Sequence, residues 1–165
     1  MLFRSECGVE KARMAMSNVV YIDFKTLKNR RYYLLDTFCG LDKEFSTPEE
    51  MASYHDSYQD SYQFVVDSFK DFPNVVVVKG SVPKTLSQVD IQKVAYLSID
   101  MNCVLPEVEA LKHFWPKMVF SGIVILDDYA QIGHEKQKAA MDQWAGSVGK
   151  KVLSLPTGQG MLVKS

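Results

Sequence analysis

Four consecutive valines, Val75–Val78 in "NVVVVKG", limit the folds open to this chain more than any other feature. β-Branched side chains crowd the preceding turn of a helix, and an unbroken apolar run offers no polar face to solvent. Such a run suits an interior strand of a sheet covered on both sides. Short apolar runs recur along the chain and give expected strands at Leu2–Cys7, Tyr32–Asp36, Val75–Lys79, Val94–Asp100, Ile123–Asp127, Lys151–Leu155 and Gly160–Lys164. Between them lie helical patterns from Gly8 to about Leu27, from Pro106 to Trp115 and from His134 to Ala145. The last of these turns Ala140, Met141 and Trp144 toward the sheet. Strands alternating with helices predict an α/β fold, mostly parallel, with crossover helices. The final two strands, joined by "PTGQG", are close enough in sequence to form an antiparallel hairpin.

The 165 residues are expected to form one domain, 1–165. A net charge of −1 gives no broad attraction to nucleic acid or to an anionic membrane, so neither is expected as a partner. No apolar stretch is long enough to span a bilayer, and no signal-peptide core stands at the amino end. Cys7, Cys39 and Cys103 are odd in number and lack C-x-x-C spacing, which predicts reduced thiols and a cytoplasmic location.

The segment from Ser46 to Phe72 is the longest without an expected strand. Thr47-Pro48-Glu49-Glu50 has the form of a capping box with proline at the first helical position. Beyond it "SYHDSYQDSYQF" spaces Tyr54, Tyr58 and Tyr62 four apart, along one face of an expected helix. Two readings stand: a stripe packed on the sheet or a partner, or a lid whose phenols line a polar substrate pocket.

Ligands of open α/β sheets collect outside the carboxyl ends of the strands. Five successive strand ends here read "SECGVEKA", "YYLLDTFCGL", "VVKGS", "LSIDMN" and "LDDY", each with an acid, a glycine or both. Gly8 permits close backbone approach to a ligand in the first strand-to-helix turn, although the G-x-G-x-x-G spacing of dinucleotide folds is absent. Asp36 suits either the hydroxyls of a ribose or the capping of its own turn. Gly80 and Ser81 suit close approach to an adenine ring, or a plain strand-ending turn. Asp100, Asp127 and Asp128 are expected to converge from neighbouring strands. Carboxylates so placed need compensation, and hard oxygen donors favour Mg²⁺. The competing reading has Asp128 capping the next helix and Asp127 facing solvent.

"ECGV", "LLDTFCGL", "KGSVPKTL", "LSIDMN", "SGIVILDDYA" and "LPTGQGMLVK" occur in the order seen in class I S-adenosylmethionine-dependent methyltransferases. More narrowly, the chain resembles the branch of macrocin and mycinamicin sugar O-methyltransferases, from Glu6 almost to the carboxyl terminus. The resemblance implies a Rossmann-like, seven-stranded sheet ending in an antiparallel hairpin. It implies Asp100, Asp127 and Asp128 as Mg²⁺ ligands, with Asp100 also near the cofactor. It places Glu6 and Gly8 beside the methionine part of S-adenosylmethionine, Asp36 on the ribose, and Gly80 with Ser81 near the adenine. The acceptor it implies is a small hydroxylated molecule such as a sugar, and a homodimer is compatible with it.

The chain departs from that pattern in three ways. Ala12 and Arg13 stand where the first turn of relatives continues with glycines. Asn102 stands where the sugar methyltransferases carry an aspartate base, and an amide cannot accept a proton near neutral pH. The helices that relatives carry before the first strand are not seen. With Asn102 in that place, His134 in "IGHEK" becomes the candidate proton acceptor, against a solvent-facing helix start. His55 and His113 read as surface residues, and Tyr129 either covers the metal or fills its turn. Rival readings are a non-catalytic binding domain, a methyltransferase for a phenol or amine, and last a phosphoryl-transfer site, which lacks a Gly-rich phosphate loop.

Overall fold

A computed structural model describes residues 2–54 and 57–165. The strands are β1 (Leu2–Cys7), β2 (Arg30–Asp36), β3 (Val75–Lys79), β4 (Val94–Ile99), β5 (Met118–Leu126), β6 (Leu153–Ser154) and β7 (Gly160–Val163). The helices are α1 (Arg13–Tyr21), α2 (Pro48–Ser53), α3 (Tyr62–Ser68), α4 (Val104–Phe114) and α5 (Glu135–Ser147). The strands make one seven-stranded sheet in the order β3-β2-β1-β4-β5-β7-β6. The first five are parallel, and β7 runs antiparallel to both β5 and β6. The fold class is therefore the expected one, hairpin included.

Each sheet face has its own core. On one face Leu35, Leu97, Ile99, Val124, Leu126 and Leu162 pack with Leu111, Phe114, Met141 and Trp144 of α4 and α5. On the other, Tyr32 and Leu34 pack with Ala15 and Val19 of α1 and Val65 of α3. Alternation along β2 explains the division, because successive side chains of a strand point to opposite faces. The valine run is split in the same way, with Val76 and Val78 against the first core and Val75 and Val77 against the second. Yet β3 is an edge strand and its valines are only half-buried. Cover on both faces explains the run without a strand on each side.

Several boundaries differ from expectation. The first helix covers Arg13–Tyr21, and left-handed backbone at Asp23 separates it from a 3₁₀ turn at Phe24–Thr26. β5 begins five residues before Ile123, at Met118, through an irregular stretch containing left-handed Ser121. His134 is the residue preceding α5 and not part of it. The expected tyrosine helix is interrupted: α2 ends at Ser53, and α3 starts anew at Tyr62.

Candidate functional site

The strand order reverses between β1 and β4, so the segments leaving them turn to opposite faces of the sheet and open a crevice. Gly8 closes its floor. Its φ is +83°, and a Cβ there would stand 1.5 Å from the Asp100 carbonyl oxygen. Only glycine lets β1 and β4 end this close together. Left-handed backbone recurs at Glu10 (φ 49°) and Ala12 (φ 56°) before α1 begins at Arg13. The left-handed positions of this turn are thus Glu10 and Ala12, while Arg13 is already the first residue of α1. Side chains in that conformation cost about 1–2 kcal/mol each.

Asp36 ties this turn to the next. Its Oδ2 accepts from the backbone N–H of Val9 and from that of Glu10 at 2.9 Å. Its Oδ1 accepts from Phe38 N–H at 2.6 Å and the Thr37 hydroxyl at 3.2 Å. The capping reading of Asp36 is realised, and a ribose hydroxyl reaching it would share or displace these donors.

A cavity of about 140 Å³ lies over the two turns. Gly8, Asp36, Gly80, Ser81, Asp100 and Asn102, all candidates from the sequence, line it together. Glu10 and Asp42 also line it and were not picked out as binding residues, and Tyr58 is the one tyrosine of the expected stripe among its lining residues. Asp42 accepts from the Ser81 hydroxyl and from Glu44 N–H, and these bonds hold its carboxyl below the usual range. Glu6 does not line the cavity. Its side chain points under α1, 4% exposed, where the Tyr32 hydroxyl donates to it at 3.4 Å. Burial, then the charge of Asp100, pushes its carboxyl up to about 8.

Asp100 and Asp127 end adjacent strands, joined by Asp127 N–H donating to Ile99 O at 3.0 Å. Burial pushes the Asp100 carboxyl up to about 7, reinforced by Asp127, Asp128 and Asp36. Burial likewise raises Asp128, opposed by His134. None of the described ion pairs joins these aspartates to a lysine or arginine. Clustered, partly buried carboxylates without a cation are the donor chemistry of a hard divalent ion. In position, however, no three acidic, histidine or cysteine side chains among the described residues are grouped as metal ligands. Asp127 Oδ1 instead accepts from Gln159 Nε2 at 2.6 Å, and Asp128 Oδ2 lies 3.6 Å from His134 Nδ1. The donor set fits; its side chains stand apart, with Asp127 held by the β6–β7 turn.

His134 is held on both sides. Its Nδ1 meets Asp128 and, at 3.0 Å, the Gln137 amide, while its Nε2 lies 3.3 Å from the Tyr54 hydroxyl. It does not face open solvent, its side chain being 15% exposed. Asn102, in left-handed backbone, donates to the Tyr58 hydroxyl at 3.0 Å, with Asp100 Oδ1 further off at 3.5 Å. Tyr54 and Tyr58 stack with ring centroids 6.1 Å apart, whereas Tyr62 packs on Phe38. The three tyrosines therefore share no helical face: two stand over the site and one is tied to the second core. Tyr129 is turned away from the aspartates, its hydroxyl donating to Asp142. His113 is half-buried against Phe114, and His55 lies outside the described residues.

The family model for macrocin O-methyltransferase (TylF) matches residues 5–149. The chain belongs to the macrocin O-methyltransferase family. It is accordingly a class I S-adenosylmethionine-dependent O-methyltransferase by family, with the sheet order and switch-point cavity just described. Among solved structures it is similar to the O-methyltransferase NovP, with a TM-score of 0.84 at 19% identity over 98% of this chain and 71% of that one. The calicheamicin methyltransferase CalS11 follows at TM-score 0.74 and 19% identity, with the same two coverages, 98% and 71%. A putative caffeoyl-CoA O-methyltransferase from Staphylococcus aureus gives TM-score 0.61 at 12% identity over 99% of this chain and 76% of that one. At these identities the structures testify to the fold. No curated protein sequence matches the chain significantly.

In this member of the macrocin O-methyltransferase family Glu10 and Ala12 take left-handed backbone in the first turn, and so does Asn102 two residues after Asp100. Sequence reasoning missed Glu10 and Gln159, which touch the site only through the fold. The one signal was Glu10's place two residues after Gly8, a position that shares its backbone conformation.

Proposed function

We propose that the chain transfers a methyl group from S-adenosylmethionine to a hydroxyl of a small molecule, such as a sugar or sugar-bearing natural product, with Mg²⁺ assisting. The observation that carries this reading is the cavity at the carboxyl ends of β1 and β4, with Asp100 linking it to the Asp127–Asp128 pair. The family description names macrocin as acceptor, and CalS11 is described as a TDP-rhamnose 3'-O-methyltransferase. Bound in the cavity, S-adenosylmethionine supplies a methyl on a positively charged sulfur. Gly8 gives it access to the backbone of the first turn, and Ser81 with Asp42 edges the far end. Asp100, Asp127 and Asp128 would hold Mg²⁺, a Lewis acid that makes a nearby hydroxyl easier to deprotonate.

The chain's own groups divide the remaining work. Asn102 orients Tyr58 and cannot take a proton. His134, steadied by Asp128 through Nδ1, presents Nε2 toward Tyr54 and is the proton acceptor in this reading. A phenolic acceptor is the second reading, favoured by the stacked Tyr54–Tyr58 pair beside the cavity.

Thermal melting with S-adenosylmethionine tests the cofactor, and a rise in melting temperature is expected. Incubation with a panel of sugars and phenols then reads methyl transfer to the acceptor. Asp127→Ala should abolish the Mg²⁺-dependent part of that transfer while leaving the melting shift in place. Transfer by the parent that excess chelator leaves undiminished, or an undiminished Mg²⁺-dependent part in this variant, overturns the metal assignment.

A further inference from the structure

We propose that Glu107 is a positioning residue for methyl transfer: its buried carboxyl holds the Asp100–Asn102 turn in the conformation that forms one wall of the cavity. Its part in the reaction rests on the reading of that cavity as the S-adenosylmethionine site. Glu107 stands in the first turn of α4 and is 6% exposed. Its side chain reaches back past the helix start, where Oε1 accepts from the Met101 N–H at 3.2 Å. The Asn102 N–H lies against the same carboxyl. Met101 and Asn102 line the cavity together with Asp100, Cys103 and Pro106.

The turn falls between two regular elements. The sheet's hold ends at Asp100, whose N–H donates to Cys7 O at 2.8 Å. The bonds of α4 begin with Cys103, whose carbonyl accepts from Glu107 N–H at 3.3 Å and whose side chain supplies no cap. Between them the backbone passes through left-handed Asn102, which costs free energy unless its surroundings fix it. Two carboxyl groups supply that hold. Glu50 Oε1 accepts from Val104 N–H at 2.9 Å, and Glu107 takes the Met101 end. The left-handed step in turn aims the Asn102 amide at the Tyr58 hydroxyl.

Folding alone does not favour a carboxyl in this place. Burial, with the charge of Asp100 acting in the same sense, pushes it up to about 8. An apolar side chain would fill the same space without that conflict. What the carboxyl gives is an acceptor within reach of backbone N–H groups that have no described strand or helix partner. Without it the turn samples other conformations. S-adenosylmethionine then has to order the turn as it binds, and fixing one residue's backbone is worth roughly tenfold in affinity. Asn102 also loses its fixed direction toward Tyr58, which slows transfer from a donor already bound.

Hydrogen exchange of the full chain without ligand, and isothermal titration with S-adenosylmethionine in chelator, test this well below each variant's melting temperature. Glu107→Ala should speed exchange at the Met101 and Asn102 amides about tenfold, leaving the middle of α4 unchanged, and weaken S-adenosylmethionine binding about tenfold. Glu107→Gln keeps an acceptor oxygen at the same reach and should bring both values to within about twofold of the parent. Glu107→Asp keeps the charge on a shorter side chain and should behave as Glu107→Ala does. With an acceptor found by the panel, kcat at saturating donor should fall about tenfold in Glu107→Ala and recover in Glu107→Gln. Faster exchange spread along all of α4 with unchanged affinity, an unchanged kcat, or failure of Glu107→Gln to restore the turn overturns the proposal. Absence of binding by the parent overturns the cofactor reading instead, and exchange at the two amides still decides whether Glu107 holds the turn.

Discussion

Gly8 and Glu6 lie two residues apart and show how one turn divides its tasks. The missing Cβ of Gly8 is required by the Asp100 carbonyl, independently of any ligand. Gly8→Ala should therefore lower stability by about 2 kcal/mol or more in denaturant titration, because strain and overlap act together. Glu6 faces the other side, buried under α1, with its carboxyl raised to about 8 by burial and by Asp100. Between the ordinary carboxylate range and about pH 8, the folded chain keeps a proton that the unfolded chain releases. Stability must then fall as pH rises through that window. Glu6→Gln should flatten the decline in melting temperature across it, as read by thermal melts at stepped pH.

At the scale of elements, α2 shows a local signal met and then overruled. Thr47 and Glu50 form the expected reciprocal cap. The helix nevertheless stops at Ser53, and a short acidic side chain before the next helix can bond the backbone in place of a helical bond. Asp60 does so directly, accepting from Tyr62 N–H at 3.0 Å where α3 begins. Four-residue spacing of tyrosines is thus compatible with two short helices and a bend. Glu50 extends beyond its own helix: Oε2 accepts from Thr47 N–H at 2.7 Å and Oε1 from Val104 N–H at 2.9 Å. One carboxylate joins the starts of α2 and α4. Glu50→Ala should cost about 1–3 kcal/mol and speed hydrogen exchange at the Val104 amide, whereas an unchanged Val104 amide would leave Glu50 as a local cap only.

For the molecule as a whole, cover is uneven. Leu162 of β7 lies in the core under α5 at 2% exposure, while Leu153 of β6 is 56% exposed. By register Ile123 faces Val163, and both are exposed, so this side of β5 and β7 is open. Leu162→Ala should cost about 2–5 kcal/mol, and Leu153→Ala should stay within about 0.5 kcal/mol of the parent. Equal losses in denaturant titration would mean that the open face is covered in solution. No described helix is long and apolar enough to cross a membrane.

The sequence by itself determined the kind and order of the elements, the final hairpin, and the polar residues that end the strands. Those features follow from periodicity and turn chemistry within a few residues, which a chain carries wherever it sits. Tertiary structure alone decided that the valine strand is an edge, that one oxygen of Asp36 is taken by the first turn, and that Gln159 reaches Asp127. It also decided that Glu10 lines the cavity and Glu6 does not. Strand order and turn direction set these distances between residues remote in sequence, and no local pattern encodes them.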